Sequence, residues 1–295
     1  MAALPVPLRA AGAMILCCAF VALSTFLAKA LGKGVEGTPM HPFMVVVGRY
    51  GVAALTLALL VWARRTPLRG APLLLYAGRS GCGWMSVTAL FAASAMIPLA
   101  DATALSFLSP VFSLVLAILF LGEKVGPVRW GAAAIALSGG ALLVRPGFQA
   151  VEPGALVALF AAVTMAAELV FAKLLARREG VLRMLFYTNL FGAVFALIAG
   201  SFVWRAPTGT ELILMAFVAW TMVAGQALYM IALKIADASF VTPFFYGTLL
   251  FAALYDWAWF GTVPAPLSFA GAGLIVGGAA LLAFRDAKRR DAAAE

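Results

Sequence analysis

Ten apolar runs, most of them close to the length of a membrane span, follow one another along this 295-residue chain with only short polar breaks. A helix needs about 20 apolar residues to cross a hydrocarbon core about 30 Å thick. The pattern predicts helices near 11–31, 43–62, 72–96, 101–121, 127–144, 153–176, 184–203, 211–233, 238–259 and 266–284. A transmembrane barrel would need shorter segments of alternating polarity, whereas 114–121 and 270–284 are apolar without alternation. Soluble domains carry about 25% charged residues. Here the figure is 11%, against 64% apolar, so lipid has to replace water over much of the surface. Cys17, Cys18 and Cys82 lie inside apolar runs and read as small packing residues, since three cysteines make no disulfide scaffold.

The net charge of +9 is spread over short loops. A nucleic-acid surface would gather it on one face, so we expect no nucleic-acid partner. Counted loop by loop, fourteen Lys and Arg (Arg9, Arg64, Arg65 and Arg183 among them) fall on one side of the predicted bundle, and Lys33, Arg145 and Arg205 on the other. Cytoplasmic loops are the basic ones, which places both termini in the cytoplasm of a multi-pass inner-membrane protein. An even number of spans follows. Lipids are the surrounding partner, and a monomer and a homodimer are equally compatible with the sequence.

The chain also repeats itself. Leu99-Ala-Asp-Ala-Thr103 returns as Ile235-Ala-Asp-Ala-Ser239, each followed by a proline, Pro110 and Pro243, that breaks the helical ladder and can bend its span. Phe26-Leu-Ala-Lys29 resembles Val170-Phe-Ala-Lys173, and Gly139-Gly-Ala-Leu-Leu143 corresponds to 277–282. The units are residues 1–148 and 149–295, five helices each. Five is odd, so the second unit enters the membrane from the opposite side. Inverted repeats are a device of secondary transporters, whose two halves exchange conformations around a site near the midplane.

An ionisable group at the bilayer centre costs about 2.5–3.5 kcal/mol on insertion scales, so each is a candidate for the site. Arg49 and Glu168 are the primary candidates. Lys29, Lys173 and Asp256 are candidates for coupling or charge pairing, the two lysines being close enough to helix ends to snorkel. Glu168 and Lys173 are five apart, a rotation of about 140°, and should not pair with each other. Four basic groups (Lys29, Arg49, Arg79, Lys173) against two acids favour an anionic or zwitterionic substrate. Ser24, Trp84, Thr88, Phe107, Trp220, Gln226, Tyr229 and Tyr246 supply the polar and aromatic lining such a pocket uses. The fifth and tenth helices carry no interior charge and are placed at the periphery, packed through the Gly273-Leu-Ile-Val-Gly277 step. Enzymatic readings find little support. The single histidine, His41, sits before Pro42 and reads as a loop-ordering residue. There is no HExxH helix, no metal-ligand cluster, no phosphate-binding loop and no dinucleotide fingerprint, so no cofactor and no metal are expected.

Several of these segments resemble a known family, the ten-helix EamA carriers of the drug/metabolite transporter superfamily. The resemblance rests on 98–112 (Pro98-Leu-Ala-Asp-Ala-Thr through Pro110-Val-Phe112), Leu121-Gly-Glu123, Arg145-Pro-Gly147, His41-Pro-Phe43, Arg49-Tyr50, and 236–246 ending in Pro243-Phe-Phe-Tyr246. It implies an all-α membrane protein and a secondary active transporter of a small organic metabolite (amino-acid-like, nucleotide-like or vitamin-like), with protons or a counter-substrate as coupling partners. One departure stands out: Phe260-Gly-Thr262-Val-Pro264 has lost the acid that matches Glu123, and Asp256 stands where a small residue is common. The alternative reading is an intramembrane enzyme or lipid-handling protein, whose bases would have to be carboxylates such as Glu168 and Asp256.

Overall fold

The structure, a computed structural model, describes residues 6–35, 37–68, 70–121, 127–144, 152–176, 179–235, 244–262 and 265–291. Those residues form α1 (Val6–Lys33), α2 (Pro42–Ala63), α3 (Leu73–Met96), α4 (Leu99–Ser106), α5 (Ser109–Leu121), α6 (Pro127–Val144), α7 (Pro153–Ala176), α8 (Val181–Ser201), α9 (Gly209–Ile235), a 3-10 turn at Phe245–Gly247, α10 (Thr248–Phe260) and α11 (Pro266–Asp291). Pro243 lies outside the described residues, and Pro110 and Lys173 are described in backbone only.

Local chemistry sets the helix ends. Pro42 opens α2 at a position where its missing N–H is no loss, and the Nδ1 of His41 accepts the N–H of Phe43 at 3.2 Å, so the lone histidine is a helix cap. Thr208 and Glu211 form a reciprocal capping box at the start of α9, the Thr208 N–H donating to the Glu211 carboxylate and the Glu211 N–H to the Thr208 hydroxyl. Gly261 ends α10 in the left-handed conformation, φ 63°, which a residue with a Cβ adopts only with strain. The span expected as one helix over 101–121 is two: the ladder breaks at Phe107 and Leu108, and α5 restarts with Pro110 in its first turn. A proline ring collides with the carbonyl four residues back, which is why the helix cannot run through.

Counting α4 and α5 as one span gives ten, in two inverted five-helix repeats. Five segments (9–33, 42–63, 153–171, 182–201 and 209–229) are long and apolar enough to cross a membrane on their own. α3 is not among them, because Arg79 and a series of Ser, Gly and Thr lower its hydropathy. The packing carries the repeat's two-fold relation, which exchanges α1 with α7, α2 with α8, α3 with α9 and α6 with α11. α1 packs along α9 as extensively as α7 along α3, α2 meets α9 as α8 meets α3, and α2–α8 and α6–α11 pair across the axis. Large apolar side chains such as Trp62, Leu74, Leu250 and Trp259 point outward, the arrangement expected of a bundle whose solvent is lipid.

One packing expectation needs correction. α6 and α11 do form a close pair, but through Gly139, where an added Cβ would lie 2.5 Å from the Gly271 carbonyl oxygen and 2.8 Å from the Ile275 nitrogen. Gly273 and Gly277 face open space. Ser268, Gly271 and Ile275 form the buried face of α11, and a residue two positions along a helix turns by about 200° away from it.

Candidate substrate site

α2, α3, α7 and α8 bring four ionisable or aromatic side chains together in the bundle interior. Arg79, Gly83 and Ser86 recur at i, i+4 and i+7, so they share one face of α3, and that face meets α7. Glu168 of α7 lies against Gly83, where a Cβ would come within 3.0 Å of its carboxylate. Its Oε1 is 3.7 Å from the Nε of Arg79, an ion pair too long to be a hydrogen bond. From α2, Arg49 is 4% exposed and sets its guanidinium 4.2 Å from the ring centre of Tyr50. Tyr50 is held in turn against Gly192 of α8, where no side chain would fit beside the ring.

The site is rich in donors and poor in acceptors. In this cluster the Nε and Nη1 of both Arg49 and Arg79 are buried with no hydrogen-bond partner among the described residues, and the same holds along α3 and α8 for the Nε1 of Trp84 and the hydroxyls of Ser80, Ser86, Thr88 and Thr188. Glu168 is the one carboxylate these contacts bring to the cluster, and no carboxylate among the described residues reaches ion-pair distance of Arg49. Each unsatisfied buried donor costs about 1–3 kcal/mol, more when charged. Two guanidiniums against one carboxylate leave one excess positive charge. A group that brings oxygen acceptors and negative charge would relieve both deficits.

The other sequence candidates are distributed differently. Trp84 packs against Phe43 and Phe195, with ring centres 5.8 and 6.5 Å away, and Thr88 is buried one turn further along α3. Phe107 stands edge-on to Tyr246 at 5.3 Å and near Phe245 at 6.0 Å, and Tyr229 meets Phe245 at 5.9 Å. This aromatic group joins α4, α9 and the 3-10 turn, and shares none of the described ring contacts with the Arg49 group. Ser24 donates its hydroxyl to the Val218 carbonyl at 2.9 Å and clasps α1 to α9. Gln226 is half-buried on α9. Trp220, expected in the lining, is corrected: it is 51% exposed and edge-on to the equally outward Phe217, on the lipid side of α9.

Lys29 does not snorkel. It is 1% exposed and paired with Asp256 of α10 at 2.5 Å, and the second Asp256 oxygen accepts the Leu99 N–H at 2.9 Å. The lysine is long enough to reach an interface, but Asp256 neutralises its charge inside the bundle. Arg79, counted in the sequence only as an interior charge, is a missed member of the site. So is the fork of Arg205 on Glu211, with Nη1 to Oε2 at 2.9 Å and Nη2 to Oε1, which ties the loop before α9 to the Thr38 carbonyl. Hydrogen bonding to that carboxylate raises the Arg205 pKa above its ordinary value. The spacing Thr208-x-x-Glu211 was the available signal.

A ten-span inverted-repeat bundle with a buried, donor-rich site defines a membrane carrier. The comparisons agree: the EamA-like transporter family matches residues 8–145 and again 152–284, and the chain belongs to that family. It is 33% identical over 212 residues to a riboflavin transporter of Rhizobium johnstonii, covering 70% of this chain and 68% of the relative. Identity is 30% over 213 residues to the pseudopaline exporter CntI of Pseudomonas aeruginosa (70% and 73% covered). It is 25% over 241 residues to an S-adenosylmethionine uptake transporter of Rickettsia bellii (81% and 83%). A solved crystal structure superposes with a TM-score of 0.60 at 18% identity, over 91% of this chain and 96% of its own, which shows the fold alone. The protein is a multi-pass membrane transporter and not an enzyme.

Proposed function

We propose that the protein is a secondary active transporter that carries a small organic anion or zwitterion through the inner membrane by alternating access. The units 1–148 and 149–295 rock against each other about the site between α2, α3, α7 and α8, with both termini in the cytoplasm. The observation that carries this reading is Arg49, buried, stacked on Tyr50 and, among the described residues, without partners for two of its donors beside the loose Arg79–Glu168 pair. A carboxylate or phosphate on the substrate would satisfy Arg49 and Arg79 together. Tyr50 and Trp84 offer faces to an apolar or ring portion. Glu168 is then free to take a proton or a substrate cation, which makes protons or a counter-substrate the coupling partner. The relatives are named for riboflavin transport, S-adenosylmethionine uptake and pseudopaline export, and this supports a small metabolite as cargo without fixing the compound or the direction.

The test is counterflow in liposomes, with a panel that includes riboflavin, S-adenosylmethionine and carboxylated or phosphorylated metabolites. At least one oxyanion-bearing compound is expected to saturate, and Arg49→Gln to abolish its uptake while the protein stays monodisperse. Uptake confined to compounds without a negative group, or unaffected by Arg49→Gln, overturns the reading. The basic-loop orientation is checked by impermeant labelling of a cysteine added at the C-terminus, which should react only from the cytoplasmic side.

A further inference from the structure

The two-fold relation of the helices is broken in one respect. α1 and α2 both pack against α3, yet the related contacts of α7 and α8 with α9 are absent or marginal among the described residues. The α1–α3 approach includes the ends where both helices finish, with Gly32 so close to Ala95 that an added Cβ would lie 3.1 Å from it. The end of the bundle where α1, α3 and α10 finish and α4 begins is thus drawn together by helix packing, whereas the described contacts at the opposite end are side-chain ones, Tyr76 donating to Glu179 at 3.0 Å and lying 4.9 Å from the Tyr187 ring.

At the closed end sits the buried ion pair that the substrate site does not use. Asp256 is 1% exposed and has two partners from the other repeat: the Lys29 ammonium on Oδ1 at 2.5 Å, and the Leu99 N–H, the first of α4, on Oδ2 at 2.9 Å. Phe260 covers the pair, its ring 5.2 Å from the Lys29 nitrogen, and packs with Phe26 at 5.7 Å. α4 is only eight residues long and is separated from α5 by the break at Phe107 and Leu108. It is a short helix whose first N–H is held by that carboxylate, and Ser268 of α11 donates to its Asp101 at 3.1 Å. A buried pair of this kind adds little net stability compared with apolar packing, and together with the Leu99 amide it joins three helices across both repeats.

We propose that Asp256 is a latch: it holds α1 and the start of α4 to α10 and keeps this end shut. Opening requires the carboxylate to release both Lys29 and the Leu99 amide. The proposal rests on the alternating-access reading above and adds to it a residue that acts on access and not on substrate contact.

The test uses full-length protein in liposomes, with Cys17, Cys18 and Cys82 replaced by Ala and a single cysteine at Thr88, which is buried on α3 beyond Trp84. An impermeant maleimide is added from the side of the 34–41 loop, then from the other side. The parent should label slowly from the loop side and faster from the opposite one. Asp256→Asn, which keeps an acceptor for the Leu99 N–H but loses the charge, and Lys29→Gln should each raise labelling from the loop side at least tenfold. Lys33→Gln, altering an exposed lysine over the same ring, should not. Unchanged rates in both variants, or loss of folding in both, overturn the latch and leave the pair a structural clamp. Equal labelling of the parent from both sides would instead overturn alternating access itself.

Discussion

Glu168 and Gly83 face each other across the α7–α3 contact so closely that one added methyl group at Gly83 would lie 3.0 Å from the carboxylate carbon and from Oε2. The obstacle is the far end of a flexible side chain, so Gly83→Ala should fold with little loss of stability. The carboxylate must nevertheless shift, and its 3.7 Å relation to Arg79 shifts with it. We expect Gly83→Ala to keep an unfolding temperature near the parent's while lowering transport severalfold, read as initial counterflow rate for the compound the panel identifies. An unchanged rate would mean that the position of Glu168 is immaterial to the cycle.

Gly139 offers the opposite case. A Cβ there would lie 2.5 Å from the Gly271 carbonyl oxygen and 2.8 Å from the Ile275 nitrogen, and backbone cannot move aside without parting α6 from α11. Gly139→Ala should destabilise by about 1–3 kcal/mol, the usual range for overpacking. Gly273→Ala and Gly277→Ala meet nothing within 4 Å and should be neutral or slightly stabilising, since Ala is the better helix former. Thermal unfolding in detergent of the three single variants separates these outcomes.

These glycines also show what could be read from sequence. The spans and the repeat were legible, because they depend on run length and self-similarity. Rotation about each helix axis was not. α9 and α11 are apolar nearly all round, and a helix without a polar stripe does not declare its inward face. That is why Trp220 and the Gly273–Gly277 step were assigned to the wrong sides. The partner of a charge was equally hidden. Arg79 meets Glu168, and Lys29 meets Asp256, across interfaces whose register is set by packing and not by spacing along the chain. The break between α4 and α5 was foreshadowed by Pro110, but a proline in a membrane span does not say whether the helix bends or stops.

The two tryptophans of the sequence-based lining should separate in function. Trp84→Phe keeps an aromatic ring against Phe43 and Phe195, though a smaller one, and removes the Nε1–H that has no partner among the described residues. If that donor meets the substrate's negative group, apparent affinity should fall roughly tenfold to a hundredfold, the worth of a hydrogen bond to a charged acceptor at about 1.5–3 kcal/mol. Trp220→Phe, on the outward face, should leave affinity as it was. Saturation curves for both variants check the contrast, and equal effects would remove Trp84 from the site.

The Arg205–Glu211 fork should behave as a coupled unit. The Glu211 side chain is 2% exposed and that of Arg205 is 33% exposed, so the pair is half sheltered. Arg205→Ala leaves the carboxylate buried with the Thr208 N–H as its remaining described donor. The expected cost lies between the roughly 0–1 kcal/mol of an exposed pair and the roughly 3–5 kcal/mol of a buried one broken from one side. Thr208→Ala removes one side of the capping box and should cost about 1 kcal/mol. The double variant Arg205→Ala, Glu211→Ala should be less damaging than the two single losses added together, by at least about 0.5 kcal/mol, because neither partner is then left alone. Chemical unfolding of the four proteins in one detergent closes the cycle. Strict additivity would show that the fork holds the 202–208 loop to Thr38 without contributing to stability.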